Sequence, residues 1–259
     1  MRHDLAIAIA TVCRPSLLRA VRSVFAQSPD LRLQVLIGVD ADLFGAGPAL
    51  RDVIARETPA NVTVTWVDPG YSTSRRHGGP HACGYGGALR TVLSFLADAR
   101  HVMYLDDDDW LAPSHCADII AVLPGHKWAF AYSIYADGAS ARGLAVDELE
   151  SVGVGRGVFA ERFGGFVRPS GLALDKLALL HILHLWACSP FEGGDGEDRL
   201  IFTQLKDQPH ACTGKATIFY ALDPKDGMHP QRCAFIARRG GVFESEQKKY
   251  SLRLKPNHT

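Results

Sequence analysis

The first 110 residues alternate between stretches that predict strands and stretches that predict helices, and this alternation limits the fold more than any other feature of the sequence. Continuous apolar runs with β-branched residues are typical of strands that are buried on both faces. Leu5–Val12 is a run of this kind, and Leu33–Val39 is predicted to be a second buried strand. Val62–Val67 and His101–Leu105 are predicted to be the third and fourth strands. Strand–helix repetition predicts an α/β fold in which helices cover both faces of a mostly parallel sheet.

Helical periodicity separates these strands. The first helix follows Pro15, whose missing N–H costs nothing in a first turn, and places apolar residues of Leu17–Phe25 on one face. A weaker pattern covers Ala49–Glu57, and a third helix carries Leu89–Leu96. The segment Asp68–Gly87 before it has no apolar period, and its length is typical of a functional loop.

The second half of the chain has mixed signals. Trp128–Tyr135 and Ala216–Leu222 predict strands, whereas Gly138–Gly171 is glycine-rich and irregular. Asp175 is predicted to be the N-cap of a helix that runs to about Trp186. Because no linker clearly divides the chain, we predict one domain over residues 1–235 and a polar C-terminal tail over residues 236–259.

Charge and apolar content exclude several classes of protein. Lys+Arg and Asp+Glu both number 28, so the chain has no global field that would attract nucleic acid, and we expect no nucleic-acid partner. The longest apolar stretch, Leu177–Cys188, is about half of the roughly 20 residues that a membrane-spanning helix needs. We therefore predict no transmembrane segment. The basic tail leaves peripheral membrane contact open.

The cysteines and the N-terminal residues indicate the cellular compartment of the protein. The six cysteines are scattered without a C-x-x-C pair, which disfavours a zinc module and fits reduced thiols. The opening residues contain an A-x-A at Ala8–Ala10, but their apolar part is too short for a typical signal peptide and runs straight into a periodic helix. We expect a cytoplasmic protein.

Four consecutive aspartates, Asp106–Asp109, directly follow the fourth strand. Adjacent carboxylates repel one another unless a cation or solvent compensates them, and divalent cations with oxygen ligands commonly do so. A solvated acidic turn is the alternative, because Asp also favours turns. Ligands bind at the carboxyl ends of parallel strands, where this run is expected to lie. We therefore favour a manganese or magnesium site.

The segment Leu105–Pro113 (LDDDDWLAP) resembles the D-x-D region of the family 2 glycosyltransferases, which have the nucleotide-sugar-binding fold called GT-A. IAIATVCRP resembles the first strand of that family and its T-x-x-R-P turn, and VLIGVDAD resembles its second strand. GGALRTVLSFLADARHVMYLDDDD resembles the following helix and strand, with Arg90 placed 16 positions before Asp106. The resemblance covers residues 5–230. It implies a Rossmann-like GT-A domain with a nucleotide-sugar-binding half at about 1–109 and an acceptor half at about 110–235.

The resemblance also implies roles for the donor-side residues. Thr11, Arg14 and Asp40 would border the base and ribose of the nucleotide, and Arg90 would lie near the ribose or diphosphate. Three departures weaken any inference about which base is bound. Cys13 and Thr91 stand where Asn is common, and the second-strand acidic pair is split as Asp40-Ala41-Asp42.

By the same resemblance, Asp106 and Asp108 form the D-x-D, and Asp108 would be the direct metal ligand with help from Asp106. Asp107 would lie nearer the ribose or sugar. His229, in GMHPQR, resembles the late histidine that completes the metal site or contacts the diphosphate in some members of the family. A lone histidine is also commonly structural, and this alternative remains open.

A second acidic pair, Glu197-Asp198, matches the E-D pair that opens a helix near the acceptor in this family. A sugar hydroxyl is a poor nucleophile, and a carboxylate that takes its proton accelerates such a reaction by about 10²–10⁴. We expect Asp198 to be the general base and Glu197 to support it or to contact the acceptor. Carboxylates also suit a helix N-terminus for electrostatic reasons alone.

These residues predict an inverting, metal-dependent glycosyltransferase that moves a sugar from a nucleotide diphosphate sugar to an acceptor hydroxyl. A UDP-sugar is the first guess for the donor, and a saccharide is an expected acceptor. The cluster Arg75–His77 is equally consistent with a phosphate contact and with an exposed loop. Gly84–Gly87 lacks the Lys-Ser/Thr of a P-loop.

Other functions fit parts of the same pattern. A non-catalytic nucleotide- or carbohydrate-binding protein could keep the scaffold. A phosphotransferase or phosphatase of the haloacid dehalogenase type also has D-x-D after a strand, but Trp110 stands where Thr or Val is usual. A nucleotide-sugar pyrophosphorylase would carry an N-terminal glycine-rich signature that this sequence lacks.

Overall fold

The computed structural model describes residues 1–239, 241–246 and 249–254. In the first half of the chain, the predicted alternation of strands and helices is confirmed. The strands are β1 (Leu5–Thr11), β2 (Leu33–Val39), β3 (Val62–Val67) and β4 (His101–Tyr104). The helices are α1 (Leu17–Phe25), α2 (Gly47–Glu57) and α3 (Gly87–Leu96), and a 3₁₀ turn, Arg75–His77, interrupts the long loop before α3.

The second half contains more regular structure than its sequence indicates. Its strands are β5 (Trp110–Leu111), β6 (Trp128–Asp137), β7 (Arg142–Val146), β8 (Gly153–Val154), β9 (Gly165–Phe166), β10 (Ala173–Asp175), β11 (His210–Ala221), β12 (Gly241–Glu246) and β13 (Lys249–Leu254). Its helices are α4 (His115–Val122), α5 (Ala160–Phe163), α6 (Glu197–Leu205) and α7 (His229–Arg238). The strands β12 and β13 pair as an antiparallel hairpin within the segment that we predicted as a polar tail.

One predicted helix is wrong. Asp175 ends β10 instead of beginning an α-helix, and a 3₁₀ helix, Leu180–Ala187, follows it. The Asp175 carboxylate does accept hydrogen bonds from the amides of Leu177 and Ala178, at 3.1 and 3.2 Å. The capping signal was therefore real, but it organises the turn after a strand.

The main sheet has the strand order β3-β2-β1-β4-β10-β6-β11-β5, and β7 pairs with β6. Strands β3, β2, β1 and β4 are mutually parallel, and β6 is parallel to β11. Strand β10 is antiparallel to both of its neighbours, and β5 is antiparallel to β11. The predicted fold class is confirmed: the central sheet is mostly parallel, and helices cover both faces.

The two faces of the sheet bury separate apolar clusters, as alternation along a strand requires. On β1, Leu5, Ile7 and Ile9 belong to the cluster that includes residues of α1 and α2. Ala6 and Ala8 belong to the other cluster, with residues of α3 and of the 3₁₀ helix. Small residues on this second face let α3 approach closely, since a Cβ on Gly38 of β2 would lie 3.1 Å from the side chain of Leu93.

No helix among the described residues is both long and apolar enough to cross a bilayer.

A buried histidine on α4 predicts a loss of stability in acid. Burial lowers the pKa of His115 to about 4, and its ring nitrogens contact the Thr217 hydroxyl at 2.8 Å and the Met103 sulfur at 3.2 Å. Between about pH 4 and pH 6.5, this histidine is therefore protonated in the unfolded chain, where its pKa is near 6.5, but neutral in the folded chain. The contribution of His115 to stability is complete above about pH 6.5 and falls by about 3 kcal/mol as the pH drops to about 4.

Urea unfolding between pH 4.5 and 7.5 measures this effect. The variant His115→Gln should be less stable at neutral pH, and its stability should decline less steeply between pH 6.5 and 4.5. Equal slopes for the variant and the natural protein would show that His115 does not drive the acid sensitivity.

Candidate active site

A cleft of about 860 Å³ opens at the carboxyl ends of β1, β2 and β4. The second half of the chain closes its other side through the β9–β10 connection, the start of α6 and the segment between β11 and α7. Nine of the ten site residues that the sequence predicts line this cleft. They are Thr11, Arg14, Asp40, Arg90, Asp106, Asp107, Asp108, Glu197 and Asp198.

Two of the four consecutive aspartates are buried and serve to fix the turn. Asp107 accepts a hydrogen bond from the Thr11 hydroxyl at 2.7 Å, which joins the ends of β4 and β1. Asp109 accepts hydrogen bonds from the Ser170 hydroxyl at 2.5 Å and from the Ala221 amide at 2.9 Å. Asp109 thereby ties the acidic run to the second half of the chain.

The other two aspartates are less buried and face arginines. Arg14 donates to Asp108 at 2.7 Å, and Arg90 donates to Asp106 at 2.5 Å. Burial and the neighbouring carboxylates of Asp107 and Asp106 raise the pKa of Asp108 to about 7, although Arg14 opposes this. The site therefore holds more negative charge than its arginines compensate, and an added cation would stabilise the ionised form of Asp108.

A divalent cation fits this donor set only in part. Among the described residues, no three His, Cys, Asp or Glu side chains form a ready metal cage. Mg²⁺ in nucleotide-binding enzymes is usually held by one or two carboxylates together with substrate phosphates. Asp108 and Asp106 match that arrangement, in which a diphosphate supplies further oxygens.

Arg90 connects the acidic run to the second acidic pair. Its guanidinium lies 2.5 Å from Asp106 and 3.0 Å from Glu197, and only 7% of the residue is exposed. The two carboxylates raise the pKa of Arg90, although burial opposes this, so its charge is permanent. In the structure Arg90 bridges two carboxylates, and the contact with the ribose or diphosphate that the resemblance implies stays a prediction.

The acidic pair opens α6, as the sequence predicts. Gly196 precedes it with a φ of 84°, and a Cβ there would lie 2.6 Å from the ring of Phe191, so this position requires glycine. Burial and the nearby Asp198 raise the pKa of Glu197 to about 7, against the attraction of Arg90. Glu197 is thus buried and already paired with a cation.

Asp198 has a different environment. It lines the cleft, and within residues 1–239 no other side chain donates a hydrogen bond to its carboxylate, although the Arg199 amide contributes a backbone hydrogen bond. Burial raises the pKa of Asp198, and the charge of the adjacent Arg199 opposes that change. Of the two residues, Asp198 is the one whose carboxylate is free to accept a proton from a bound molecule.

The acidic residues after β2 also have separate roles. Asp40 borders the cleft but is only 3% exposed, and the loop before α3 surrounds its carboxylate. Asp42 accepts hydrogen bonds from the amides of Ala46 and Gly47, both at 3.0 Å, at the start of α2. Asp42 therefore satisfies backbone amides at the start of α2, whereas Asp40 faces the loop before α3.

His229 does not line the cleft with the other predicted residues. It is half-buried in the first turn of α7, and its Nε2 lies 3.2 Å from the Cys233 sulfur. Its neighbours Met228 and Arg232 are the residues of this turn that line the cleft. The structure thus brings together the D-x-D and E-D residues but leaves this histidine outside the lining.

The sequence did not reveal the wall formed by the second half of the chain. Arg232 contacts Glu150 at 2.6 and 2.9 Å, and Arg168 contacts Asp147 at 2.6 Å. The Arg168 guanidinium also lies over the Tyr220 ring, 3.8 Å from its centroid. These ion pairs join residues 21 to 82 positions apart, so no local pattern could have indicated them.

The helix that carries Asp198 is held by aromatic residues of the glycine-rich segment. The Arg199 guanidinium lies 4.3 Å from the ring centroids of both Phe159 and Phe163 and 5.0 Å from that of Phe166. Arginine stacks favourably on aromatic rings. This contact fixes α5 and β9 beside the start of α6.

No family model and no curated protein matches this chain. Solved structures do. The 1–349 segment of TarS from S. aureus in complex with UDP-GlcNAc has a TM-score of 0.60 and 16% sequence identity, and the match covers 91% of this chain and 66% of that one. The mannosyltransferase PcManGT from Pyrobaculum calidifontis, solved with GDP-Man and Mn²⁺, has a TM-score of 0.57 and 15% identity, with 90% and 60% covered.

At this identity the likeness concerns the fold. The chain spans about two thirds of the 1–349 segment of TarS, 39% of the longer TarS chain and three fifths of PcManGT. It has the GT-A fold that the sequence motifs predicted, with the acidic run at the cleft edge of the sheet.

Proposed function

We propose that this chain is an inverting, metal-dependent glycosyltransferase that uses a nucleoside diphosphate sugar as donor. The proposal rests on one observation: the acidic run and Asp198 line the same cleft. The negative charge of the acidic run exceeds the positive charge of its arginines, and no other side chain among the described residues donates a hydrogen bond to the Asp198 carboxylate. The TarS and PcManGT structures support it, because proteins with this fold were solved with UDP-GlcNAc and with GDP-Man.

On the donor side, Asp108 and Asp106 would hold the cation together with the diphosphate. When bound, a divalent cation supplies Lewis-acid stabilisation of the departing diphosphate. Thr11 and Asp107, which are hydrogen-bonded to each other, form the adjacent wall, and Arg14 offers a further positive charge. His229 does not line the cleft, and the proposal does not depend on it.

On the acceptor side, Asp198 accepts the proton of an acceptor hydroxyl as its oxygen attacks the anomeric carbon. The new C–O bond forms on one face of the sugar while the bond to the diphosphate breaks on the other, so the anomeric configuration inverts. Glu197 remains paired with Arg90 and orients the start of α6. A general base of this kind contributes about 10²–10⁴ to the rate.

The acceptor is proposed to be a saccharide or another hydroxyl compound, and a uridine nucleotide sugar is the first donor to test. We place the activity in the cytoplasm. All six cysteines, which lie within residues 1–239, are free thiols, and this supports a reducing compartment.

A thermal-shift panel tests the class of function. Uridine, guanosine, thymidine and cytidine diphosphates are each added with and without Mn²⁺, and release of nucleoside diphosphate is then followed with the matching nucleotide sugars. A glycosyltransferase is stabilised by at least one nucleotide in the presence of Mn²⁺ and releases diphosphate. Binding without any release would favour a non-catalytic nucleotide-binding protein, and no binding at all would reject the proposal.

Replacement of Asp108 tests the cation site. Asp108→Asn keeps the shape of the side chain but removes a charged oxygen ligand. We expect the gain in nucleotide affinity on addition of Mn²⁺ to fall at least about tenfold, because even partners outside the ligand shell are worth about 10–100-fold. Calorimetric titration with and without Mn²⁺ measures it. Asp195→Asn, which neutralises an exposed carboxylate elsewhere in the cleft, should leave the gain unchanged. An unaltered gain in Asp108→Asn would show that Asp108 is not a ligand.

A further inference from the structure

The carboxylate after β2 is saturated by protein donors. Asp40 accepts hydrogen bonds from the Ser72 hydroxyl at 3.1 Å, from the Thr73 amide and hydroxyl at 2.8 and 2.6 Å, from the Ser74 amide at 3.2 Å and from His77 Nδ1 at 3.0 Å. Burial raises the pKa of Asp40, but these hydrogen bonds outweigh burial and lower it below its ordinary value. Asp40 is therefore ionised and has little capacity left for a ligand.

The hydrogen bond to Asp40 determines the tautomer of His77. An ionised carboxylate can only accept, so Nδ1 of His77 must carry the hydrogen. In the neutral ring, Nε2 then has a lone pair and acts as an acceptor. This Nε2 has no hydrogen-bond partner in the part of the chain that the structure describes, although His77 lines the cleft and its side chain is 20% exposed.

The loop that carries His77 is held in place. Gly78 follows it in the left-handed conformation with a φ of 81°, and the His77 amide donates to the Ser74 carbonyl at 3.0 Å. The buried Ser74 hydroxyl accepts a hydrogen bond from the Gly86 amide, at 3.0 Å, just before α3. A hydrogen-bonding group that the surrounding loop holds in one orientation discriminates well between ligands, because it cannot reorient to pair with a ligand that presents the wrong group.

In the strand order β2-β1-β4, only β1 separates the end of β2, beside Asp40 and His77, from the acidic run in the same cleft, so a nucleoside whose diphosphate lies at Asp108 extends towards His77. We propose that His77, oriented by Asp40, selects the nucleobase of the donor. His77 Nε2 accepts a hydrogen bond from the ring N–H at the centre of the base-pairing edge. This inference rests on the proposed function. Uracil and guanine carry a hydrogen at that position, whereas cytosine and adenine present a lone pair there and leave the imidazole nitrogen unsatisfied. Uracil is therefore preferred to cytosine among the pyrimidines, and guanine to adenine among the purines.

Calorimetric titration of UDP, CDP, GDP, ADP and inorganic pyrophosphate, all with Mn²⁺, tests the assignment. We expect UDP to bind about tenfold or more tightly than CDP, and GDP to bind more tightly than ADP, because an acceptor that faces a second lone pair under the bound base loses its hydrogen bond. In His77→Phe, which keeps a ring but removes the acceptor, each preference should disappear while pyrophosphate binds unchanged. His77→Gln, whose amide oxygen can accept, should recover part of the preference.

A matched control is His81→Phe, which changes an exposed histidine of the same loop. It should keep the full preference, and the unfolding midpoints of all variants check that they fold. A wild-type protein that binds CDP as well as UDP, or a His77→Phe variant that keeps the preference, overturns the assignment and leaves the proposed function standing. Failure to bind any of the nucleotides or pyrophosphate overturns both.

Discussion

Asp198→Asn is expected to lower the rate of sugar transfer by about 10²–10⁴, the usual contribution of a general base. Asparagine has nearly the same shape as aspartate but cannot take a proton from an attacking hydroxyl. The affinity for nucleotide and Mn²⁺ should not change, because no other side chain within residues 1–239 donates a hydrogen bond to Asp198 and an asparagine oxygen can still accept from the Arg199 amide.

The assay follows release of nucleoside diphosphate from the best-bound nucleotide sugar, with an added acceptor or with water as the acceptor. Asp195→Asn is the control, since Asp195 is an exposed cleft residue three positions before Asp198. Turnover of Asp198→Asn near that of the wild type would remove Asp198 from the proposed role. Loss of nucleotide binding in the same variant would indicate a structural role instead.

Arg90→Met is expected to have the largest effect on stability. The substitution removes the guanidinium between Asp106 and Glu197 and leaves two carboxylates without their cation in a largely buried site. Loss of one partner of a buried ion pair costs about 3–5 kcal/mol. We therefore expect a decrease of this size in the free energy of unfolding at pH 7.5.

The decrease in the free energy of unfolding that Arg90→Met causes should be smaller at low pH. The pKa of Glu197 is already raised to about 7 by burial, and loss of Arg90 raises it further. A carboxyl group with a raised pKa in the folded state stabilises the fold below its unfolded pKa of about 4.3 and loses that contribution as the pH rises through its folded pKa. Protonation of Glu197 at low pH therefore relieves the unpaired charge.

Chemical denaturation at pH 5.5 and 7.5 measures both effects. The double variant Arg90→Met/Glu197→Gln should recover part of the loss at pH 7.5, because it removes one of the two uncompensated charges. Arg76→Met is the control, since Arg76 lines the same cleft but stacks on the Tyr85 ring, without an ion-pair partner among the described residues. A loss in Arg90→Met no larger than in Arg76→Met would contradict the bridging role.

The sequence predicted the features that depend on local patterns. Stretches rich in apolar and β-branched residues located β1 to β4, and the acids that follow β2 and β4 located one side of the cleft. The pair Glu197-Asp198 was correctly placed at the start of a helix by its resemblance to the E-D pair of the glycosyltransferase family, and carboxylates suit that position electrostatically.

What the sequence could not provide were contacts between distant segments. Asp107 and Asp108 are adjacent and identical in type, so no local pattern shows that Asp107 binds Thr11 whereas Asp108 faces Arg14. The same holds for Asp40, which organises a loop more than 30 residues further along the chain. The N-cap signal at Asp175 predicted a helix that begins there, whereas the structure has a 3₁₀ helix that begins at Leu180. The register of the strands and the orientation of these side chains are determined only when distant segments pair in the folded sheet.

The most direct test of the account is anomalous diffraction at the manganese edge from crystals grown with Mn²⁺ and the best-bound nucleoside diphosphate. The account predicts one strong peak in the cleft, within coordination distance of an Asp108 carboxylate oxygen and of oxygens of both phosphates. A nucleotide bound in the cleft with no manganese peak at Asp108, or with the peak elsewhere on the protein, would contradict it.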